Sequence, residues 1–376
     1  MAIEPIQRAW VEIDLSALTA NVKALQSILA RQTDLMAVIK ADAYGHGALR
    51  VATTVLEAGA TWLAVATLAE GIQLREGGIT APILILGATN TPDDVKEIVN
   101  YNLQPTICSI QQAFIFAETL DRLQKNLAIH LKLDTGMSRL GTNWQQAVEF
   151  VGCIAGLPQL TIASVYSHLA TADEADTTIL WRQQERFQMA IAAIKEKNIY
   201  IPCLHLANSA GTLVDRSLHY NMVRVGLALY GFYPAPHLAS TVRLQPVLQV
   251  RARVTQVKTI EAGEGVSYGY KYIATKNTAI AIVGIGYADG IPRNLSNNLQ
   301  VSIRGRLVPQ IGAITMDQIM LDVSSIPDLQ VGEIVTLLGK DGDIEITAED
   351  WAAKLGTISW EILCGFKHRL PRIYSA

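Results

Sequence analysis

Apolar positions fall into two textures along the chain. From residue 35 to residue 226, short β-rich runs alternate with longer stretches of helical period. The runs are Leu35–Lys40, Trp62–Ala66, Ile83–Leu86, Gln104–Ile107, Ala128–Leu133, Thr161–Ser167, Cys203–Ala207 and Met222–Gly226. Gly47–Ala58 reads as a helix after the first run, and Pro92 with Asp93 and Asp94 is a good helix start. The longest helical pattern runs from about Asp176 to Lys197. Nearly all the runs are of the buried type, which predicts a parallel sheet with right-handed crossovers. Eight β-α units in about 230 residues fit a closed (β/α)8 barrel. A doubly wound open sheet is the alternative on pattern alone.

After Tyr230 the texture changes. Gly231–Thr241, with Pro234 and Pro236, reads as a connection. Alternating runs follow at Leu248–Ile260, Thr278–Gly286, Leu299–Ile303, Ile319–Val323 and Glu333–Leu338, closed by a short helix near Ala348–Leu355. The expected organisation is therefore a TIM-like barrel over residues 1–240 and a β-strand-rich domain over residues 241–376. Trp10–Leu15 reads as a further strand, one that pairs with the β domain.

Composition narrows the function classes. Half of the 376 residues are apolar, enough for two cores, and the net charge of −3 comes with no basic cluster interleaved with aromatics. Nucleic acid is excluded as the expected partner. The first residues carry Glu4, Arg8, Glu12 and Asp14 and lack the apolar segment of a signal peptide. No apolar run reaches the length of a membrane span. A cytoplasmic protein without a membrane partner is expected. The four cysteines (Cys108, Cys153, Cys203, Cys364) are scattered, with no C-x-x-C pair, and are expected to be buried reduced thiols.

In a (β/α)8 barrel, chemistry sits at the carboxyl ends of the strands. Polar residues collect there. Lys40 ends the first run and leads into Tyr44-Gly-His-Gly; Lys132 lies in the fifth, followed by Asp134-Thr-Gly-Met-Ser-Arg139; His168 ends the sixth; Asn208-Ser209 follow the seventh; Arg224 lies in the eighth, before Gly226. Each has an ordinary structural use: a snorkelling lysine, Asp-Gly turn chemistry, a helix cap, a satisfied core histidine. Arg224 between valines is harder to dismiss, because a buried guanidinium keeps its proton and needs an acceptor. As a set they point further. A pocket lysine forms a Schiff base with an aldehyde cofactor. Ser209 at a helix start, with backbone N–H groups near Gly226, suits a phosphate dianion after strands seven and eight. One lysine and one phosphate cradle on one barrel suggest pyridoxal 5'-phosphate. No metal is called for.

The strings themselves resemble a known family. Ala37-Val-Ile-Lys40-Ala-Asp-Ala-Tyr44-Gly-His-Gly47 is similar to the cofactor-lysine signature of alanine racemases. The likeness continues, in order, through Arg8–Asp14, His130–Gly141, Ser167–Asp173, Ala207–Ser209, Val223–Gly226, Ser267–Gly269, Gly286–Gly290, Met316–Gln318 and Arg369–Arg372. It spans nearly the whole chain. Each motif alone is weak; together they are specific.

The resemblance implies an isomerase that interconverts L- and D-alanine with pyridoxal phosphate and supplies D-alanine for peptidoglycan. It implies a head-to-tail homodimer in which each barrel is completed by the other subunit's β domain. Lys40 would hold the cofactor and act on one face of the substrate's Cα, serving the D enantiomer. Tyr268, from the partner, would serve the L enantiomer from the other face. His168 and Arg224 resemble the family's network beside that phenol, the notion being that nearby cations ease its deprotonation. Arg224 would face the pyridine nitrogen and disfavour a second positive charge there. Tyr44, Ser209, Gly226 and Leu227 match phosphate-binding positions. Arg139 matches the substrate-carboxylate arginine, and Lys132 the lysine that is often carbamylated. Met316 and Tyr287, again from the partner, match residues that narrow the pocket around a methyl group.

There are departures: His368 where a tyrosine is common, Thr315 for a cysteine, and Ser138 for a glycine. Rivals within the same lineage are a broader amino-acid racemase that also takes serine, a decarboxylase, a single-barrel cofactor carrier and a silent homologue. The first is typically exported and the second carries a cysteine-centred motif. The third lacks the β domain, and the fourth need not retain both Lys40 and Tyr268.

Overall fold

The computed structural model describes residues 7–375; Glu4 of the N-terminal stretch and the outer ends of the two expected domain ranges lie outside the described residues. The chain forms two units. One holds the chain up to Ser16, Tyr44–His46 and the chain from Pro246 onward; the other holds Ala17–Ala43 and Gly47–Gln245.

Strand β1 (Ala9–Asp14) opens the first unit. The second unit is built on β2 (Asp34–Val38), β3 (Trp62–Val65), β4 (Ile83–Ala88), β5 (Gln104–Ile107), β6 (Leu127–Asp134), β7 (Leu160–Tyr166), β8 (Leu204–His205) and β9 (Met222–Val225). Each pairs in parallel with the next, and β9 pairs with β2, so the sheet closes into an eight-stranded barrel. The open sheet is thereby excluded. Helices follow the strands where the apolar spacing requires them. The Pro92–Asn100 helix begins, as its sequence indicates, with Thr91 capping Asp94 N–H and Pro92 at the first position. Thr178–Glu196 is the longest helix, burying Leu180, Phe187, Ile191 and Ile194 on one face.

The first unit continues with β10 (Leu248–Ile260), β11 (Thr278–Val283), β12 (Gln300–Ile303), β13 (Arg306–Pro309), β14 (Ile319–Asp322), β15 (Ile334–Asp341), β16 (Ile344–Ile346) and β17 (Arg372–Ser375). The main sheet runs β13-β12-β15-β10-β1-β17, with β11 joining β10 to β14. β1 lies antiparallel to β10, with Val11 opposite Val250, and parallel to β17. Arg372 also ties this unit together: its guanidinium donates to the carbonyls of Gly45, Phe366, Lys367 and Leu370. Among the described residues β13, β16, β17, the two-residue strands Thr142–Asn143, Gly265–Val266 and Tyr272–Ile273, and the Ser359–Gly365 helix have no counterpart in the sequence reading. They are brief, so no period stands out. The four cysteines are free, but partly exposed rather than buried. Among the described residues no helix is long and apolar enough to cross a membrane.

Candidate active site

The barrel interior divides into an apolar half and a polar half. Strands β2 to β4 carry mostly Leu, Val, Ile, Met and Ala, with Trp62 of β3 edge-on to His130 at 5.5 Å between ring centroids. Strands β5 to β9 carry Gln104 and Thr106, His130 and Lys132, Ser164 and Tyr166, His205, and Arg224, two residues apart where a strand supplies two.

A directed chain of hydrogen bonds runs through the polar half. Arg224 only donates, so its Nη1 gives a proton to His205 Nδ1 at 2.8 Å. His205 is therefore the neutral tautomer that donates from Nε2 to Ser164 Oγ, 2.7 Å away. Ser164 in turn donates to His130 Nδ1 at 2.6 Å, and His130 Nε2 donates to Gln104 Oε1 at 2.7 Å. Every link has one donor and one acceptor. Burial holds both imidazoles neutral: His130 falls to about 3, and His205 well below its ordinary value, pushed further by Arg224.

Arg224 is buried and has no carboxylate partner among the described residues. Its Nη2 donates to the carbonyls of Ser167 (2.6 Å) and Leu206 (3.0 Å) and to His168 Nδ1 (3.2 Å). Burial pushes its pKa down to about 10, so it stays cationic at neutral pH. Tyr166 lies under two cations, with Arg224 Cζ 5.0 Å and Lys132 Nζ 4.5 Å from the ring centroid, and stacks on His205 at 4.6 Å. His168 is driven well below its ordinary pKa by burial, then by Arg224, Lys132, Arg139 and Lys40. It is thus a neutral member of the network; the cation there is Arg224. Lys40, Lys132, Arg139 and Arg224 thus share one electrostatic neighbourhood around His168.

Lys132 is buried, and its pKa is lowered to about 7 by burial first and Arg224 next. Arg139 is exposed on the loop after β6. That loop is organised by Asp134, whose Oδ1 accepts from Gly136, Met137 and Ser138 N–H at 2.9–3.1 Å. Asp134 therefore serves turn chemistry, as its type suggested.

Lys40 stands two residues past the end of β2 and is half-buried. The backbone then turns left-handed over Ala41 (φ 53°), Asp42 (52°), Ala43 (53°) and Tyr44 (54°). Glu70 holds the turn: Oε1 accepts from Ala41 N–H at 2.7 Å, while Oε2 accepts from Ala66 and Thr67. Asp42 caps the next helix through Ala48 N–H at 2.7 Å. Tyr44 is buried, which raises its phenol above its ordinary value.

At β8 and β9 two short helices start side by side. Asn208, not Ser209, is the N-cap of the first, accepting from Gly211 N–H at 2.9 Å. Ser209 Oγ accepts from Gly226 N–H (3.0 Å) and Ala228 N–H (3.4 Å), so its own proton is directed elsewhere. The first N–H groups of both helices have no partner within them. Ser209, Gly226 and Leu227 are thus brought together; Gly226 N–H is engaged by Ser209, and the Ser209 hydroxyl and the Leu227 N–H are the donors suited to a phosphate.

The other unit carries Tyr268, Tyr287 and Met316. Tyr268 is 74 % exposed, in a turn after Ser267, whose hydroxyl donates to Ala313 O at 2.8 Å. Tyr287 and Met316 are also exposed.

The sequence profile of the alanine racemase N-terminal domain matches residues 13–234, and that of the C-terminal domain matches residues 247–374. An alanine racemase of a Nostoc species is 65 % identical over 369 residues, covering 98 % of this chain and 96 % of that one. One from a Synechocystis species is 61 % identical, covering 98 % and 99 %. The chain belongs to the alanine racemase family. Its fold agrees with the crystal structure of alanine racemase from Bacillus anthracis with bound L-Ala-P, at a TM-score of 0.94, 36 % identity, and 99 % and 96 % coverage. It agrees equally with alanine racemase of Clostridium difficile, at 0.94, 35 % identity, and 99 % and 97 % coverage. The chain is accordingly an isomerase acting on alanine, of a family that depends on pyridoxal phosphate.

Sequence reasoning missed Glu70, His130, Ser164, Tyr166 and His205. The last four carried a signal. Taking every second residue along each barrel strand would have collected them beside Lys132 and Arg224. Glu70 had none, because it reads as an ordinary capping-box residue of the Leu68–Glu76 helix.

Proposed function

We propose that the chain interconverts L- and D-alanine with pyridoxal phosphate held at the carboxyl end of the barrel, using Lys40 and Tyr268 as bases on opposite faces of the substrate's Cα. One observation carries this reading: a buried Arg224, with no carboxylate partner among the described residues, shares a neighbourhood with Lys40, next to the paired helix starts at Ser209 and Leu227. The donors present fit the cofactor. Ser209, Gly226, Leu227 and Tyr44 would hold the phosphate, Arg224 the ring nitrogen, with His168 beside it, and Lys40 the aldehyde carbon. When bound, the cofactor supplies an electrophilic carbon for the substrate amine and a ring that draws charge from Cα.

The remaining work belongs to the chain. Lys40 Nζ takes or returns the Cα proton on the D face, and Tyr268 Oη does so on the L face. Racemisation needs both, because the proton that leaves and the proton that arrives are on opposite sides. Arg139 binds the substrate carboxylate, and a cationic site favours such an anion. Lys132, once carbamylated, is an anion that steadies Arg139. Tyr268, Tyr287 and Met316 come from a second copy in a head-to-tail homodimer, and their exposure on their own unit supports that role. The product serves cytoplasmic peptidoglycan synthesis.

The test is chiral analysis of L-alanine and L-serine incubated with the holoenzyme in heavy water. The reading requires D-alanine deuterated at Cα, formed well ahead of D-serine, and lost in Lys40→Ala and Tyr268→Phe. Equal D-serine would assign a broader racemase. No deuterium at Cα would end the two-base reading.

A further inference from the structure

Within the C-terminal unit, Tyr287 and Met316 sit on two turns that touch. Tyr287 N–H donates to Thr315 O at 3.0 Å, and Ala288 N–H to Met316 O at 3.1 Å. Only a residue without Cβ permits this approach. A Cβ on Gly286 would lie 2.3 Å from Thr315 O and 2.4 Å from Met316 O.

Beneath the turns lies a row of alternating charges. Asp289, wholly buried, takes two bonds from the Arg8 guanidinium (2.9 and 2.6 Å) and one from Gly286 N–H (2.9 Å). Arg8 also donates to Gly284 O. Arg369 then reaches both turns at once: its Nε is 3.4 Å from Asp289 and its Nη2 is 2.7 Å from Asp317, the residue after Met316. A planar guanidinium spans two carboxylates on separate turns; a lysine's single ammonium cannot hold both in that geometry.

We propose that Arg369, working through Asp289 and Asp317, is a positioning residue that sets the gap between Tyr287 and Met316 and so the size of amino-acid side chain the enzyme accepts. This rests on the reading that Tyr287 and Met316 face the substrate. A methyl against a hydroxymethyl group is a small difference, and modest shifts of pocket walls decide it. Arg369 and Asp317 are both exposed, so that pair adds little to folding, and buried Asp289 keeps its two bonds from Arg8 without Arg369. Its effect falls on selectivity and leaves stability nearly alone.

The experiment uses holoenzyme carrying Arg369→Ala, Arg369→Lys, Asp317→Asn or Met316→Ala. It measures kcat and KM for L-alanine and L-serine, pyridoxal phosphate affinity, and Tm. Arg369→Ala is expected to lower the alanine-over-serine ratio of kcat/KM at least fivefold, with Asp317→Asn in the same direction and Arg369→Lys between. Tm and cofactor affinity stay near those of the parent. A ratio within twofold of the parent in both Arg369→Ala and Asp317→Asn, while Met316→Ala shifts it, overturns the proposal alone. An unchanged ratio in Met316→Ala overturns the site reading and the proposal with it. A matching loss of cofactor affinity in Arg369→Ala would assign the residue to cofactor binding and overturn the proposal as well.

Discussion

Lys132 makes a quantitative prediction. Burial and the nearby Arg224 bring its pKa down to about 7 from an ordinary 10.5. At pH 7 about half of its amines are then unprotonated, against roughly one in 3,000 for an ordinary lysine. A free amine is what adds to carbon dioxide: the C–N bond forms, one proton leaves, and a carbamate anion results. The same shift has a stability signature. A lysine whose folded pKa is depressed binds fewer protons folded than unfolded between about pH 7 and pH 10.5, so stability rises with pH across that window. Below pH 7 the penalty is present in full, on the order of 5 kcal/mol at most. Lys132→Met keeps the volume and removes the amine. Urea unfolding from pH 6 to pH 9, under nitrogen and without bicarbonate, should show a rising stability in the parent and a flatter profile in the variant, with the variant the more stable at pH 6. Carbon-13 bicarbonate should label the parent near neutrality and leave Lys132→Met unlabelled. Equal slopes and no variant-sensitive label would refute the argument, because both follow from the same unprotonated amine.

Three other outcomes follow from the geometry. Glu70→Ala removes the acceptor of three backbone N–H groups, including the one after Lys40; cofactor affinity, read by titration of the apoprotein, should fall tenfold or more, and an unchanged affinity would leave Glu70 a mere helix cap. Ser164→Ala leaves His205 without an acceptor and His130 without a donor; the cost is about 2–4 kcal/mol of unfolding free energy, measured by urea titration, and a loss under about 0.5 kcal/mol would disprove the directed chain. Arg224→Glu replaces a cation with an anion beside the expected ring nitrogen; half-transamination, followed by pyruvate release, should rise, and an unchanged rate would count against Arg224 as the group that suppresses it.

Much of the fold is legible in the sequence. Strand runs such as Ile83–Leu86 and Met222–Gly226 were long enough in aliphatic residues to declare buried parallel strands, and the change to alternation after Tyr230 announced a different architecture. Lys40, Lys132 and Arg224 declared themselves because charge inside an apolar run is costly and needs a reason. Strand ends were less legible. The run ending at Lys40 stops as a strand at Val38, because the backbone must leave the sheet to begin its turn. His205 and Ser164 lie inside runs whose pattern marks them only as buried, with no inner or outer face declared. In a closed barrel such a run has both, and the inward residues alternate.

The turn after Lys40 was illegible for a different reason. Ala41-Asp-Ala-Tyr44 contains no glycine, yet all four residues are left-handed. Each costs about 1–2 kcal/mol, so the turn stores on the order of 4–8 kcal/mol. No local propensity supplies that; the offset comes from remote partners. Glu70 accepts from Ala41 N–H, Asp42 Oδ1 from Ala48 N–H, and Asp42 O from Gly47 N–H. A right-handed turn from the same strand end would leave Glu70 and Asp42 without these donors. Backbone strain held by surrounding structure collects where a group must be fixed against its own preference. Here the strained residues follow Lys40 directly, so the bonds that hold the turn also limit where its Nζ can go. Sequence names the lysine; the long-range bonds that the fold alone creates decide its aim.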